Sequence, residues 1–157
     1  MTVDIKLRDA IESDFPILLE HQRDTASAHM AAFGTKDPNP SELAARWKKS
    51  LADASTIQKA IIEAGRLVGF VATFIRDGQL AVTYWIARSH WGRGIATAAL
   101  SQLLQCVTTR PVFASAAKDN VASLRVLEKC GFMFRGSEKA FANARGEEIE
   151  EVFLELR

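Results

Sequence analysis

The spacing of apolar positions changes several times along this chain, and each change marks an element. Val3 to Leu7 alternates apolar and polar residues, the two-residue period of an outer strand. Asp14 to His21 suits a short helix. Gln22 to Asn39 is less periodic and contains Gly34 and Pro38, which predicts a helix fragment followed by a loop. From Ser41, a residue able to cap a helix, Leu43, Trp47 and Leu51 recur at four-residue spacing and predict a helix to about Leu51. Thr56 to Ala64 and Leu67 to Ile75 then read as two strands joined at Gly65-Arg66, an antiparallel hairpin. Asp77-Gly78 marks the next turn, into the β-branched and aromatic run Leu80 to Ala87, which suits a buried strand.

After that run the period turns helical. Trp91-Gly92-Arg93-Gly94 leads into Ile95-Ala96-Thr97 and an apolar pattern that continues to Val107. Pro111 to Ala116 is another strand. Asp119 or Asn120 can cap a helix starting near Val121, whose Val121, Leu124 and Leu127 share one apolar face and which Gly131 can end. Phe132 to Ser137 predicts a strand, Ala140 to Glu147 a loop around Asn143-Ala144-Arg145-Gly146, and Ile149 to Leu156 a closing alternating strand. The order predicts an α/β fold, a mixed sheet with helices on both faces, rather than a doubly wound nucleotide fold. With 157 residues, 48% hydrophobic and 25% charged, the chain is expected to form one domain spanning 1–157.

Charge and cysteine content narrow the function classes. A formal net charge of +1 with no basic tail gives no reason to expect nucleic-acid binding. No apolar stretch is long enough to span a bilayer, and the opening MTVDIKLRD lacks the apolar core of a secretory signal, so no membrane partner is expected. Cys106 and Cys130 sit in apolar helical contexts and read as buried free thiols of a reducing cytoplasm. No Cys/His spacing suggests a metal site.

The glycine turn is the first candidate for chemistry. Glycines at 92 and 94 let consecutive backbone N–H groups converge on an anion, and the helix behind them adds the positive end of its dipole. The alternative is an ordinary strand–turn–helix connection. The turn does not end in Gly-Lys-Ser/Thr, and Thr97 stands where a dinucleotide fingerprint needs its third glycine. The second candidate is Asn120 with Ser123, three positions apart and able to look from the first helical turn into one cleft. The alternative there is a cap and a small surface residue.

At these two segments the chain resembles the GNAT superfamily of acetyl-coenzyme A-dependent N-acetyltransferases, and within it the RimJ/RimL-like branch. The Gln/Arg-x-x-Gly-x-Gly/Ala signature reads Trp91-Gly92-Arg93-Gly94-Ile95-Ala96, with Trp in place of Gln or Arg as the branch commonly allows. The branch's strand pattern appears as Tyr84-Trp85-Ile86. Its later pattern appears as Asn120, Ser123, Leu127, Glu128, Lys129, Gly131 and Phe132. Ile5 to Asp9 and Leu67 to Val71 look like the family's first and third strands. The resemblance implies a mixed, mostly antiparallel central sheet.

The resemblance also implies roles. In this family the fourth and fifth strands splay apart, and the pantetheine arm of acetyl-CoA pairs with the exposed edge of the fourth. That gives backbone roles to Trp85, Ile86 and Ala87. The side chain of Trp85 either packs in the core or lines the acyl cleft. The pyrophosphate would lie over the N–H groups of Trp91, Gly92, Arg93, Gly94, Ile95, Ala96 and Thr97. Arg93 either adds a charge beside a phosphate or is an ordinary surface arginine, and the Thr97 hydroxyl either caps or touches phosphate. Asn120 would contact the coenzyme arm. Ser123 would be catalytic, giving a hydrogen bond or a proton to the leaving sulfur directly or through water. Many relatives place a tyrosine acid seven positions beyond the Asn; Leu127 stands there. Tyr84 reads as core.

His21, His29, Glu42, His90 and Glu147 are candidate bases, each with a bland surface or packing reading beside it. A covalent acetyl-cysteine is not expected, so direct attack in a ternary complex is preferred. The resemblance implies as acceptor a primary amine, on a protein N-terminus or a small molecule, bordered by residues 22–47 and by Phe141 to Arg145. His29, Met30, Phe33 and Trp47 could form an apolar wall there. A homodimer is possible. The competing readings are a non-catalytic acyl-CoA-binding or sensing module, and an interaction protein whose glycine turn binds nothing.

Overall fold

A computed structural model describes residues 3–34 and 39–157; positions 35–38 of the expected loop lie outside the described residues. Seven strands form one sheet in the order β1-β2-β3-β4-β5-β7-β6. They are β1 (Lys6–Asp9), β2 (Gln58–Glu63), β3 (Arg66–Arg76), β4 (Gln79–Ile86), β5 (Val112–Ala117), β6 (Met133–Ala142) and β7 (Glu147–Leu156). All neighbours are antiparallel except β4 and β5. The helices are α1 (Phe15–Gln22), α2 (Thr25–Ala31), α3 (Pro40–Ala52), α4 (Ile95–Cys106) and α5 (Val121–Lys129).

The mixed, mostly antiparallel sheet with helices on both faces therefore stands. Two hairpins follow from their turn residues. Ala64-Gly65 and Asp77-Gly78 both have positive φ at each central position, the twist that suits two-residue hairpins. The first turn thus centres one residue earlier than Gly65-Arg66.

Strand alternation sorts the sheet faces. Val71 opposes Tyr84 and Thr73 opposes Val82, which puts these residues with Ile86 on one face. That face meets Ile95, Ala99, Leu100 and Leu103 of α4 and Leu127 of α5 in the main core, together with Val112, Ala114, Val152 and Leu154. Phe70 opposes Trp85 on the other face. There Trp47 of α3 meets Phe70 edge-on at 6.0 Å, and the Trp85 indole donates to the His21 carbonyl of α1 at 3.2 Å.

The helix ends show which polar residues the sequence uses. α3 is capped by Asn39, whose side-chain oxygen accepts from Ser41 N at 2.9 Å and Glu42 N at 3.3 Å, so Ser41 is inside the helix rather than its cap. The physical reason is Pro40, which fits the first helical position because no donor is needed there. Asn39→Ala is expected to lower stability by about 1 kcal/mol, while Ser41→Ala leaves it nearly unchanged; thermal unfolding of both variants checks this. α5 ends as predicted at Gly131. With φ +95 there, Gly131 N donates to the Glu128 carbonyl and Phe132 N to the Leu127 carbonyl, and Phe132 and Leu127 both sink into the core.

The last hairpin is longer than its pattern suggested. β6 runs on to Ala142, and the expected loop shrinks to the turn at 143–146. The mostly exposed side chains of β6 carry no clean alternation, because it is the sheet's edge strand.

Candidate functional site

β4 and β5 are adjacent but joined by a single bridge, Ala81 with Phe113. On its other side β5 pairs with β7 through six residues, Val112 to Ala117. Beyond Ala81 the two parallel strands therefore part, leaving a gap beside the C-terminal half of β4. Ala87 N donates across to Val68 O, so alternation turns the backbone groups of Val82, Tyr84 and Ile86 away from β3 and toward the gap. Trp91 closes the top of this edge: its indole N–H donates to the Ile86 carbonyl at 2.9 Å.

The glycine turn lies directly above. Arg88–His90 make one tight helical turn, Trp91 is extended, and Gly92 and Gly94 take φ +73 and +80. Trp91 through Gly94 are exposed, whereas Ile95 is anchored in the core. Gly94 is the N-cap of α4 and, being glycine, offers no side-chain cap. The opening N–H groups of the helix, at Ile95, Ala96 and Thr97, have no partner within it. Exposed donors and a dipole at the mouth of a strand gap fit an anion.

Arg93 does not point at this cradle. Its guanidinium pairs with Glu63 at 2.7 Å, and His90 Nε2 lies 3.7 Å from the same carboxylate oxygen. The cradle is thus made of backbone, and the Arg93–Glu63 pair ties it to β2.

Asn120 and Ser123 do come together, in the first turn of α5 at the gap's far wall. Asn120 caps the helix by accepting from Ser123 N at 3.2 Å, and its amide donates to the Met30 carbonyl of α2 at 3.3 Å. The Ser123 hydroxyl lies 2.6 Å from the Tyr84 hydroxyl, which is also 3.3 Å from the Ser123 carbonyl. Burial pushes the phenol up to about 12 against the opposing pull of the Ser123 hydrogen bond, so it stays protonated at neutral pH. Tyr84 is the residue that sequence reasoning missed. The signal was its position: it shares its sheet face with Val82 and Ile86 beneath α5, where a hydroxyl needs a partner.

The turn at 143–146 ties these parts together. The Arg145 side chain, 4% exposed, grips Asp119 with two hydrogen bonds of 2.6 and 2.9 Å and donates to the His29 carbonyl at 2.9 Å. That grip holds the Asp119 carboxyl below the usual carboxylate range. Ala144 N donates to the Ala32 carbonyl, and the Asn143 amide donates to that of Phe33. The end of α2, the start of α5 and the last hairpin are therefore one buttressed rim.

The candidate bases scatter. Glu42 and Glu147 are exposed, and His29 is exposed with its carbonyl held by Arg145. His90 Nδ1 is 2.8 Å from Ser89 Oγ. His21 sits beside Trp85, its Nδ1 buried without a partner, and burial lowers its pKa, favouring the neutral ring. A hollow of about 240 Å³ opens on the Trp85 face, with Thr83, Phe113, Ser115 and Phe153 among its lining and none of the expected wall residues.

Cys106 is exposed, contrary to expectation, because α4 ends there and Val107 turns into the core instead. Cys130 is half-buried, its thiol 3.7 Å from the Thr97 carbonyl and pushed up by burial. Among the described residues no helix is long and apolar enough to cross a membrane, and no cluster of His, Cys, Asp and Glu could hold a metal.

Known proteins share this architecture. A model of the acetyltransferase (GNAT) domain matches residues 4–133. The protein named "Putative ribosomal N-acetyltransferase YdaF" of Bacillus subtilis (strain 168) is 27% identical over 117 residues, covering 70% of this chain. The chain spans 64% of the length of that relative. A phosphinothricin acetyltransferase from Sinorhizobium meliloti, solved with acetyl-CoA, superimposes with TM-score 0.84 at 19% identity over 97% of this chain and 87% of its own. A ribosomal-protein-alanine N-acetyltransferase from Brucella melitensis gives 0.82 at 19% identity over 96% and 98%. The family match covers the splayed strands, the glycine turn and the Asn120–Ser123 helix together. By that match, the chain belongs to the GNAT acetyltransferase domain family.

Proposed function

We propose that the protein transfers an acetyl group from acetyl-CoA to a primary amine, on a protein N-terminus or a small molecule, by direct attack in a ternary complex. One observation carries this reading: the gap beyond the single β4–β5 bridge runs up to the uncapped N-terminus of α4. A strand edge with free backbone groups suits an amide-bearing arm, and the helix terminus suits the pyrophosphate at its end.

In this reading the N–H groups of Gly92 through Thr97 hold the pyrophosphate, Trp91 N being spent on the Arg88 carbonyl; of the expected Trp85, Ile86 and Ala87, only Ile86 turns its backbone to the gap, with Val82 and Tyr84, because Trp85 and Ala87 face β3. The amine comes from the sheet face that carries Trp85, on which α1 and its His21 pack. Its nitrogen bonds to the thioester carbon, the carbon–sulfur bond breaks, and the electron pair leaves on sulfur. The nitrogen's surplus proton passes to water or to His21, and Ser123 gives a hydrogen bond or proton to the sulfur. Neither cysteine suits an acyl-enzyme. Cys130 has a raised pKa and Cys106 lies at the far end of α4 from the glycine turn.

Calorimetric titration with acetyl-CoA, followed by assay of free thiol released with a panel of primary amines, tests the proposal. Saturable binding of about micromolar affinity, near −8 kcal/mol, with amine-dependent thiol release is the expected result. Binding without release by any amine leaves the sensing module as the better reading. A folded protein that binds no acetyl-CoA overturns both.

A further inference from the structure

We infer that Tyr84 is a positioning residue for acyl transfer: its hydroxyl donates to Ser123 Oγ and so frees the serine's proton to face the leaving sulfur. The inference rests on the acetyl-transfer reading above and assigns a role within the same site.

The geometry allows two proton arrangements. The Tyr84 oxygen lies 2.6 Å from Ser123 Oγ and 3.3 Å from the Ser123 carbonyl oxygen. A carbonyl only accepts. In one arrangement the serine donates to the phenol oxygen and the phenol donates to the carbonyl, so both protons are spent inside the pair. In the other the phenol donates to Oγ at the shorter distance, and the serine's O–H is free to turn into the gap.

Negative charge on sulfur selects the second arrangement, because it attracts the serine proton while the phenol proton swings from the carbonyl to Oγ. No proton needs to leave either residue for this. Donation by Tyr84 also polarises the serine O–H and strengthens its own donation. Tyr84 comes from β4 and Ser123 from α5, so the bond ties the strand that borders the gap to the helix above it. The phenol holds its proton throughout the neutral range, so the donor is always present.

A kinetic cycle tests this. Tyr84→Phe is expected to lower kcat roughly tenfold, the effect of one lost hydrogen bond in a buried network, with the KM for acetyl-CoA unchanged. In a Ser123→Ala background the same change should cost nothing further, since Tyr84 acts only through that hydroxyl. Independent losses that multiply, or a change confined to KM, overturn the inference. So does an unchanged kcat in Tyr84→Phe when Ser123→Ala alone is slow.

A second measurement uses the unaltered protein and so survives a variant that misfolds. Tyr84 is the chain's one tyrosine, so the tyrosine Raman doublet, whose intensity ratio reports phenol donation, reads this residue alone. Adding coenzyme A at a pH where its thiol ionises should move the ratio toward a stronger donor, and an unmoved ratio overturns the inference. If the wild type neither binds acetyl-CoA nor releases thiol, the acetyl-transfer reading itself has failed. Loss of the Tyr84 effect in an active enzyme removes only this step.

Discussion

Replacing Gly69 by alanine is expected to lower stability by about 3 kcal/mol, at the upper end of what overpacking a core position costs. An added Cβ would stand 2.2 Å from the Trp85 carbonyl oxygen, 3.2 Å from the Trp85 carbonyl carbon and 3.2 Å from the Ile86 Cα. All three are backbone atoms, so no side chain can rotate out of the way. Relief must come from moving β4 away from β3 at the point where Ala87 N donates to Val68 O. That point borders the gap, so the variant should lose acetyl-CoA affinity along with stability. Gly136→Ala is the matched control. It too lies in a strand, but nothing is within 4 Å of its would-be Cβ. Chemical denaturation of both proteins separates the clash from the general effect of an added methyl. Equal stability of the two variants would show that β4 yields freely at Trp85.

Gly69 illustrates what the sequence leaves unsaid. Its run, Leu67 to Val71, is legible as a strand from composition, but no local pattern announces that the neighbouring carbonyl leans onto residue 69. The same division holds across the site. The glycine turn and the Asn120–Ser123 pair were legible because tight turns and caps are local events, fixed by residues a few positions apart. The partner of Ser123 was not, because Tyr84 lies 39 positions away. In one dimension its hydroxyl is lost among the apolar residues of a core strand. Arg93 shows the converse. Its place in the motif suggested a phosphate contact, and only the fold brings Glu63 from β2 against it. Arg145, within what read as an open loop, is a rim brace for the same reason: Asp119 and the His29 carbonyl meet it only after the sheet has formed. Local chemistry fixes which elements form, whereas long-range pairing fixes which polar groups are left free for a ligand.

Gly94→Trp should abolish most acetyl-CoA binding while leaving the protein folded. Gly94 sits at φ +80, where any L side chain costs about 1–2 kcal/mol, and its Cβ would meet only the Val3 side chain at the ordinary distance of 3.4 Å. The fold can bear that strain, because the site of substitution is exposed and Ile95 anchors the helix behind it. The cradle cannot. Relaxing φ to a negative value rotates the peptide that aims the first α4 donors outward, and the indole stands over the place an anion would take. Losing two charge-assisted hydrogen bonds of about 1.5–3 kcal/mol each predicts at least a 100-fold weaker complex, roughly 3 kcal/mol or more. Gly78→Trp carries the same strain, at φ +76 in open space, but in the β3–β4 hairpin at the opposite end of β4. The two variants should therefore lose similar stability and differ in calorimetry alone. If both bind acetyl-CoA as the wild type does, the anion is held elsewhere and the backbone cradle is not its site. If both lose binding, the effect lies in general strain. Only a loss confined to Gly94→Trp assigns the pyrophosphate to the N–H groups that open α4.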